Sequence, residues 1–309
     1  MRVVFMGTPD FAVGTLEAIV EAGHEVVAVV TQPDKPKGRG GAMAMSAVKE
    51  CAIKHNLTVL QPVKAREESF VEELRTYNSD VIVVVAFGQL LPASIIHMPK
   101  YGCINVHASL LPKYRGASPI QWAVLDGCEY SGVTTMQMDE GLDTGDILEV
   151  AKVKLDEKET GGSLFDRLSV VGAELLVETL KKAESGELHP VKQDDNEATY
   201  VKMLNKSFGL LDFTKKPEVL ERMVRGLNPW PSAFTHIEGK LLKIWDASVE
   251  AADDDKECGS VVTDQKTYFK VKCDGGYLVI NELQLEGKKR MKTADFLRGY
   301  SVKDNEKLG

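Results

Sequence analysis

The chain has 309 residues, 43% hydrophobic and 27% charged, with a net charge of −8. That size suits two domains, and the composition is that of an ordinary globular protein rather than a disordered or fibrous one. No window approaches the ~20 apolar residues of a membrane span, and the five cysteines are odd in number, scattered and without a C-x-x-C pair, which argues against both a disulfide framework and a zinc site.

In chain order, the opening MRVVFMGTPDF lacks the long apolar stretch of a secretory leader, so a cytoplasmic protein is expected. Residues 2–6 form a short apolar run closed by Gly7, and 10–22 carry apolar residues at helical spacing until Gly23. The β-branched run 25–31 (EVVAVVT) has the pattern of a strand buried on both faces. The alternation continues with helix 45–55, strand 57–61, helix 67–77, strand 80–86 (DVIVVVA), strand 103–107 (CINVH), helix 117–126 and strand 132–138. A long periodic stretch, 162–185, predicts the last helix of the series. Such alternation implies a Rossmann-like α/β domain with a mostly parallel sheet, over residues 1–188. Residues 189–206 are polar, contain a proline and read as a linker. From 207 to 309 one helix, 216–226, precedes short strands at 234–237, 240–246, 259–263, 268–272 and 276–284. Five short strands of this kind suit a small closed or half-closed β-barrel.

The charge is uneven along this order. Through residue 200 there are 19 Lys and Arg against 29 Asp and Glu, and beyond it 19 against 17. Overall acidity works against a general nucleic-acid binder, while the weakly basic last third leaves room for a local phosphate-facing surface. Lys288, Lys289, Arg290 and Lys292 cluster there, as a solvated face or as a nucleic-acid contact.

Four segments carry candidate chemistry. The first turn, Gly7-Thr8-Pro9-Asp10-Phe11, stands where a dinucleotide fingerprint would be, but it lacks the glycines and Pro9 removes an amide donor, so no NAD is expected. Residues 32–42 (QPDKPKGRGGA) hold Lys35, Lys37 and Arg39 among prolines and glycines; they should form neither helix nor strand. This is either a solvated loop or a basic arm that orders on a polyanion, and its place after a parallel strand favours the arm. In Gly102 to Pro112, Asn105 and His107 lie two apart on a strand and so project to one side. A polar pair at the end of a buried strand costs stability unless it is hydrogen-bonded, which favours function over core packing. Finally, Met138 to Asp146 holds four acids and two glycines without calcium-loop spacing. It is a tight acidic turn, or a loop that brings Asp143 beside His107. An Asn–His–Asp group fits acyl transfer to an amine: Asn for the oxyanion, His as a second donor, and the carboxylate to set the His state and help remove the amine proton. No serine or cysteine stands in a nucleophile elbow, so direct attack by the amine is expected.

These segments together resemble the folate-dependent formyltransferases. The resemblance rests on Asn105-x-His107-x-Ser109-Leu110-Leu111-Pro112 with Gly141-Leu142-Asp143-Thr144-Gly145 downstream. The opening GTPDFA, TQPDKPKGRG, SLLPKYRGASPIQWA, TTMQMDEGLDTGD and Asn228-Pro229-Trp230-Pro231 extend it nearly end to end, and are similar to the branch that formylates initiator methionyl-tRNA. The resemblance implies that Asn105, His107 and Asp143 are catalytic and that Ser109, Leu110, Leu111 and Pro112 line the site of 10-formyltetrahydrofolate, the formyl donor. It further implies that Lys35, Lys37 and Arg39 belong to an arm that meets the tRNA acceptor stem, and that the C-terminal barrel is OB-like and holds the tRNA. No metal and no protein partner is implied. The segment 40–46 (GGAMAMS) is less basic than that pattern. Rival readings are a formyltransferase acting on a small amine or amino sugar, a hydrolase releasing formate from the same donor, and an RNA-binding module with an inert first domain.

Overall fold

The computed structural model describes residues 1–37, 42–304 and 306–308. Its contacts divide the chain into two compact units: 1–119, 130–154 and 165–201 form the first, and 120–129, 155–164 and 202–309 the second.

The first unit is built on a seven-stranded sheet. Its strands are β1 (Arg2–Gly7), β2 (Glu25–Val30), β5 (Val59–Leu60), β6 (Val81–Val85), β7 (Cys103–His107), β9 (Tyr130–Gln137) and β10 (Ile147–Lys154), in the order β10-β9-β7-β6-β1-β2-β5. The five strands from β7 to β5 are parallel. Every residue of β6 is buried, the expected fate of a β-branched run with both faces covered. Helices α1 (Val13–Glu21), α2 (Ala47–Lys54), α3 (Glu68–Arg75) and the single turn α4 (Ala93–Ile96) are the intervening helices in the chain. Ser46 caps α2, its hydroxyl accepting from the Lys49 amide at 3.1 Å. Val4, Met6, Val30, Ile82, Val84 and Cys103 share a core with Phe70 and Leu74 of α3.

Two strands depart from the parallel pattern. β9 runs antiparallel to β7, and β10 antiparallel to β9. The loop joining β9 to β10, residues 138–146, is shorter than a parallel crossover needs, so the chain turns back on itself. In β10 (ILEVAKVK) only Leu148 is buried and the residues after it alternate half-buried and exposed, so it lacks the apolar run that marks the inner strands. Among the described residues no helix is long and apolar enough to cross a membrane.

The basic segment contradicts the expectation that it forms no strand. Lys35–Lys37 (β3) pairs antiparallel with Ala42–Ala44 (β4), Pro36 opposite Met43. A two-stranded ribbon is all edge, the one sheet setting that tolerates proline. Its root is fixed: the Lys49 ammonium donates to Asp34 at 2.7 Å and the Gln61 amide to the same carboxylate at 2.8 Å. These two bonds, Lys49 first, hold the Asp34 carboxyl below its usual range. Lys35 is exposed, and Arg39 lies outside the described residues.

The stretch 189–206 divides at Val201. Up to there it lies with the first unit, where Tyr200–Val201 (β11) pairs in parallel with Arg115–Gly116 (β8).

The second unit carries a six-stranded antiparallel sheet. β12 (Ala233–Ile237), β13 (Lys240–Ala251), β16 (Gly276–Leu285), β15 (Phe269–Cys273) and β14 (Val261–Thr263) follow one another in that order, with β17 (Met291–Lys292) on β16. Helix α7 (Pro217–Gly226) buries Leu220 and Val224 in a core with Ile244, Val271, Leu278 and Leu283. Leu125, from α5 (Pro119–Leu125), is part of this same core. α6 (Gly161–Ser185) begins in this unit and continues into the first, and α8 (Thr293–Gly299) follows β17 near the end of the chain.

Candidate active site

β7 sets the site because its two faces differ. Cys103 packs into the core cluster with Val84 and Ile82, whereas Val106 faces Gly172 of α6, whose missing Cβ would stand 3.1 Å from the Val106 methyl. By strand parity Asn105 and His107 project to the side of Cys103. Asn105 is half-buried between its register partners Val84 and Met136. No described group takes its carboxamide in a hydrogen bond, leaving two donors and an acceptor uncommitted.

His107 is the opposite case. It is buried, and its Nε2 lies 3.0 Å from the carbonyl oxygen of Tyr114. A carbonyl only accepts, so Nε2 carries the proton and donates, which leaves Nδ1 as the nitrogen facing the site. Nδ1 stands 3.7 Å from Oδ2 of Asp143. That is ion-pair range but longer than a hydrogen bond. Asp143 itself sits at φ 55° and its Oδ2 accepts the Gly116 amide at 2.8 Å. The acidic loop is thus more than a turn, although Asp139 does close one by accepting from Gly141 N and Thr144 Oγ1.

Ser109, Leu110, Leu111 and Pro112 follow directly. The Ser109 hydroxyl is buried and donates to the Lys113 carbonyl at 2.7 Å. Leu111 N donates to Thr134 Oγ1, which in turn donates to the Ser109 carbonyl. The Leu111–Pro112 peptide is cis. These residues shape the loop, and the serine hydroxyl is spent inside it.

Three features of the surrounding loops were not expected from sequence. The loop after β6 carries Phe87, Leu90 and Leu91; Phe87 and Leu91 pack with the Cys103 cluster, and Leu90 is exposed. Leu142, beside Asp143, is also an exposed large apolar side chain. The signal for the first loop was its place beyond the carboxyl end of a central strand, where ligands of such sheets bind. The backbone of Tyr114 and Gly116, which fixes His107 and Asp143, leaves no signal in side-chain identity. A cavity of about 450 Å³ lies elsewhere, lined by Ile104, Gln137, Leu148 and Ala183 but by neither Asn105 nor His107.

Among the described residues, Glu17, Cys51 and His55 form the one group with metal-ligating atoms close together, all within 4.8 Å. Lys54 already places its ammonium 3.7 Å from Glu17 there.

A Rossmann-like sheet, a carboxamide without a partner among the described residues and a facing His–carboxylate pair define a class. The chain belongs to the formyl transferase family, whose description "Formyl transferase" matches residues 1–180 and "Formyl transferase, C-terminal domain" residues 203–301. It is 70% identical to the methionyl-tRNA formyltransferase of Lachnospira eligens over 100% of both chains. It is 58% identical to that of Agathobacter rectalis over 98% of each. Among solved structures, the fold is similar to an N-formyltransferase from Helicobacter canadensis in complex with folinic acid and dTDP-3-aminofucose (TM-score 0.66, 18% identity, 91% of this chain and 98% of that one).

Proposed function

We propose that this protein transfers the formyl group of 10-formyltetrahydrofolate to the free amino group of initiator methionyl-tRNA, giving the formylmethionyl-tRNA that starts translation in the cytoplasm. The observation that carries the chemistry is the uncommitted Asn105 carboxamide beside the facing pair of His107 and Asp143. The acceptor is argued from relatives named methionyl-tRNA formyltransferase that align over both units.

The bound donor supplies an electrophilic formyl carbon, which the methionyl amine attacks to leave tetrahydrofolate. Asn105 donates its amide hydrogens to the formyl oxygen as negative charge develops there. His107, held through Nε2, presents Nδ1 as the site that takes and returns a proton. Asp143, held by the Gly116 amide, stabilises a proton on Nδ1 and helps strip the attacking amine. Side chains supply every one of these roles, so the reading calls on no metal and no NAD.

The residues present suit a reduced folate. Leu90, on the loop beyond the carboxyl end of β6, and Leu142, beside Asp143, are exposed apolar groups. A flat ring system set between such groups would keep water from the formyl carbon. In this reading Ser109, Leu110, Leu111 and Pro112 form the wall behind the donor, and the β3–β4 ribbon with Lys35, Lys37 and Arg39 meets acceptor-stem phosphates. The antiparallel second unit, OB-like in this reading, holds the tRNA body.

The test is incubation with 10-formyltetrahydrofolate and either methionyl-tRNA or small amines, including a dTDP-linked amino sugar. Formylation of methionyl-tRNA alone is the expected result. Formylation of the amino sugar, or release of formate with every acceptor refused, overturns the assignment.

A further inference from the structure

Among the described residues Arg115 is the largest fully buried side chain, and the roles assigned above do not use it. Its guanidinium is matched by a segment that reads as linker in the sequence. Nε donates to Gln193 Oε1 at 3.0 Å, Nη1 to the Tyr200 hydroxyl at 2.9 Å, and Nη2 to Asp195 at 2.8 Å. Burial alone would lower its pKa, but Tyr200 and Asp195 more than offset that and keep it charged.

Gln193 is the member of this set that reaches the active site. Its Nε2 donates to the carbonyl of Asp143 at 2.9 Å and to that of Gly145 at 2.7 Å. The amide cannot turn over, because a guanidinium only donates and carbonyls only accept. We propose that Gln193, oriented by Arg115, is a positioning residue for the transfer: it pins the Asp143 loop so that the carboxylate faces His107.

Four observations support this beyond the bonds themselves. Asp143 occupies the left-handed region at φ 55°, a conformation that a non-glycine residue keeps only when its surroundings impose it. Gly145 closes so tightly on the Gln137 carbonyl that a Cβ would collide with it, so the loop has one seat. The residues around Arg115 hold both other contacts of the pair: the Tyr114 carbonyl takes His107 Nε2, and the Gly116 amide donates to Asp143. Those residues are themselves laced to the same segment, with Tyr114 N donating to Thr199 Oγ1, Arg115 N to the Thr199 carbonyl and Ala117 N to the Val201 carbonyl. One strap, 193–201, therefore stands behind both His107 and Asp143.

This inference rests on the catalytic role given to Asp143, and its test separates the two. In the full-length enzyme, Gln193→Ala should lower kcat about 10–100-fold, with KM for both substrates changed far less. Gln193→Glu is the sharper variant. It keeps an oxygen on Arg115 and gains an ion pair there, but turns the second oxygen onto two carbonyls. Its thermal midpoint should fall no further than that of Gln193→Ala, while kcat falls at least as far and the pH–rate profile shifts. In an Asp143→Asn background, Gln193→Ala should cost less than about twofold, since a residue acting through Asp143 has nothing left to position. A Gln193→Glu enzyme with normal kcat and pH profile overturns the inference, as does full additivity of the two losses. If Asp143→Asn itself turns over normally, the catalytic reading fails and the inference with it.

Discussion

Asn105 sits half-buried on β7 with its carboxamide claimed by no described neighbour, while His107, two residues on, has one nitrogen committed to a carbonyl. Polar groups at buried strand ends are normally paired, and in the proposed function this difference separates a ligand-facing donor from a fixed proton carrier. Asn105→Ala should cost about 100-fold or more in kcat, with little change in tetrahydrofolate affinity. Steady-state kinetics beside a folate-binding titration checks this, and turnover within about twofold of the parent would remove Asn105 from the oxyanion role. The pair was legible in the sequence because strand parity puts i and i+2 on one side whatever the tertiary context. Gln193 was not legible: its neighbours Lys192, Asp194, Asp195 and Asn196 are all polar, and no local pattern records that a guanidinium from residue 115 is buried against them.

At the scale of elements, the inner strands announced themselves as β-branched runs, whereas β10 and β3–β4 did not. β10 is an edge strand with one wet face, and the ribbon is made of lysine, proline and small residues. The acidic loop between β9 and β10 showed its composition but not its one tight seat. Gly145→Ala tests that seat. The added methyl meets the Gln137 carbonyl, so the loop must shift and carry Asp143 with it. A fall of about 10–100-fold in kcat is expected with the sheet intact by circular dichroism; an unchanged kcat would mean that the loop absorbs the shift without moving the carboxylate.

Another loop gives a pH-dependent prediction. Asp254, in the 252–258 turn, accepts from the Tyr277 hydroxyl at 2.8 Å and the Lys256 amide at 3.0 Å, and lies 3.1 Å from the buried Lys272. These contacts, Tyr277 foremost, lower its carboxyl from 3.8 to about 2. The folded-state value lies below the ordinary one, so its contribution to stability is complete above 3.8 and is lost as pH falls toward about 2. Asp254→Asn should therefore be less stable than the parent at neutral pH, with the two converging in acid. Urea midpoints measured down the pH range would show it, and a constant gap would place the effect in packing instead.

On the scale of the molecule, two domains were legible from the change of texture near residue 190, but their composition along the chain was not. The second unit recruits 120–129 and 155–164 from between the stretches of the first. Sequence order cannot show this, because both segments read as parts of an α/β series; what assigns them is packing. Leu125 lies in the core of Leu220 and Val224, and a Cβ on Gly226 would stand 2.9 Å from Leu125 Cγ. The bonds agree: Arg222 Nε donates to the Leu125 carbonyl at 3.1 Å, Arg225 Nη1 to the Glu159 carbonyl at 2.8 Å, and Gly162 N to the Asn228 carbonyl at 2.8 Å. A chain cut after Val201 would keep these two segments and lose the core that Leu125 packs into. Leu125 would be stripped of its cover, at roughly 1.5–3 kcal/mol for a side chain of its size, the Leu125 and Glu159 carbonyls would lose these donors, and the Gly162 amide would lose its acceptor. The 1–201 fragment should accordingly aggregate or bind a hydrophobic dye, where a continuous two-domain chain would yield a clean monomer. Size-exclusion chromatography and dye fluorescence decide between them. Leu125→Gln in the fragment should reduce dye binding, while the same change in the full chain should lower the thermal midpoint; a well-behaved 1–201 monomer without it would show that the two segments fold with the first unit when the second is gone.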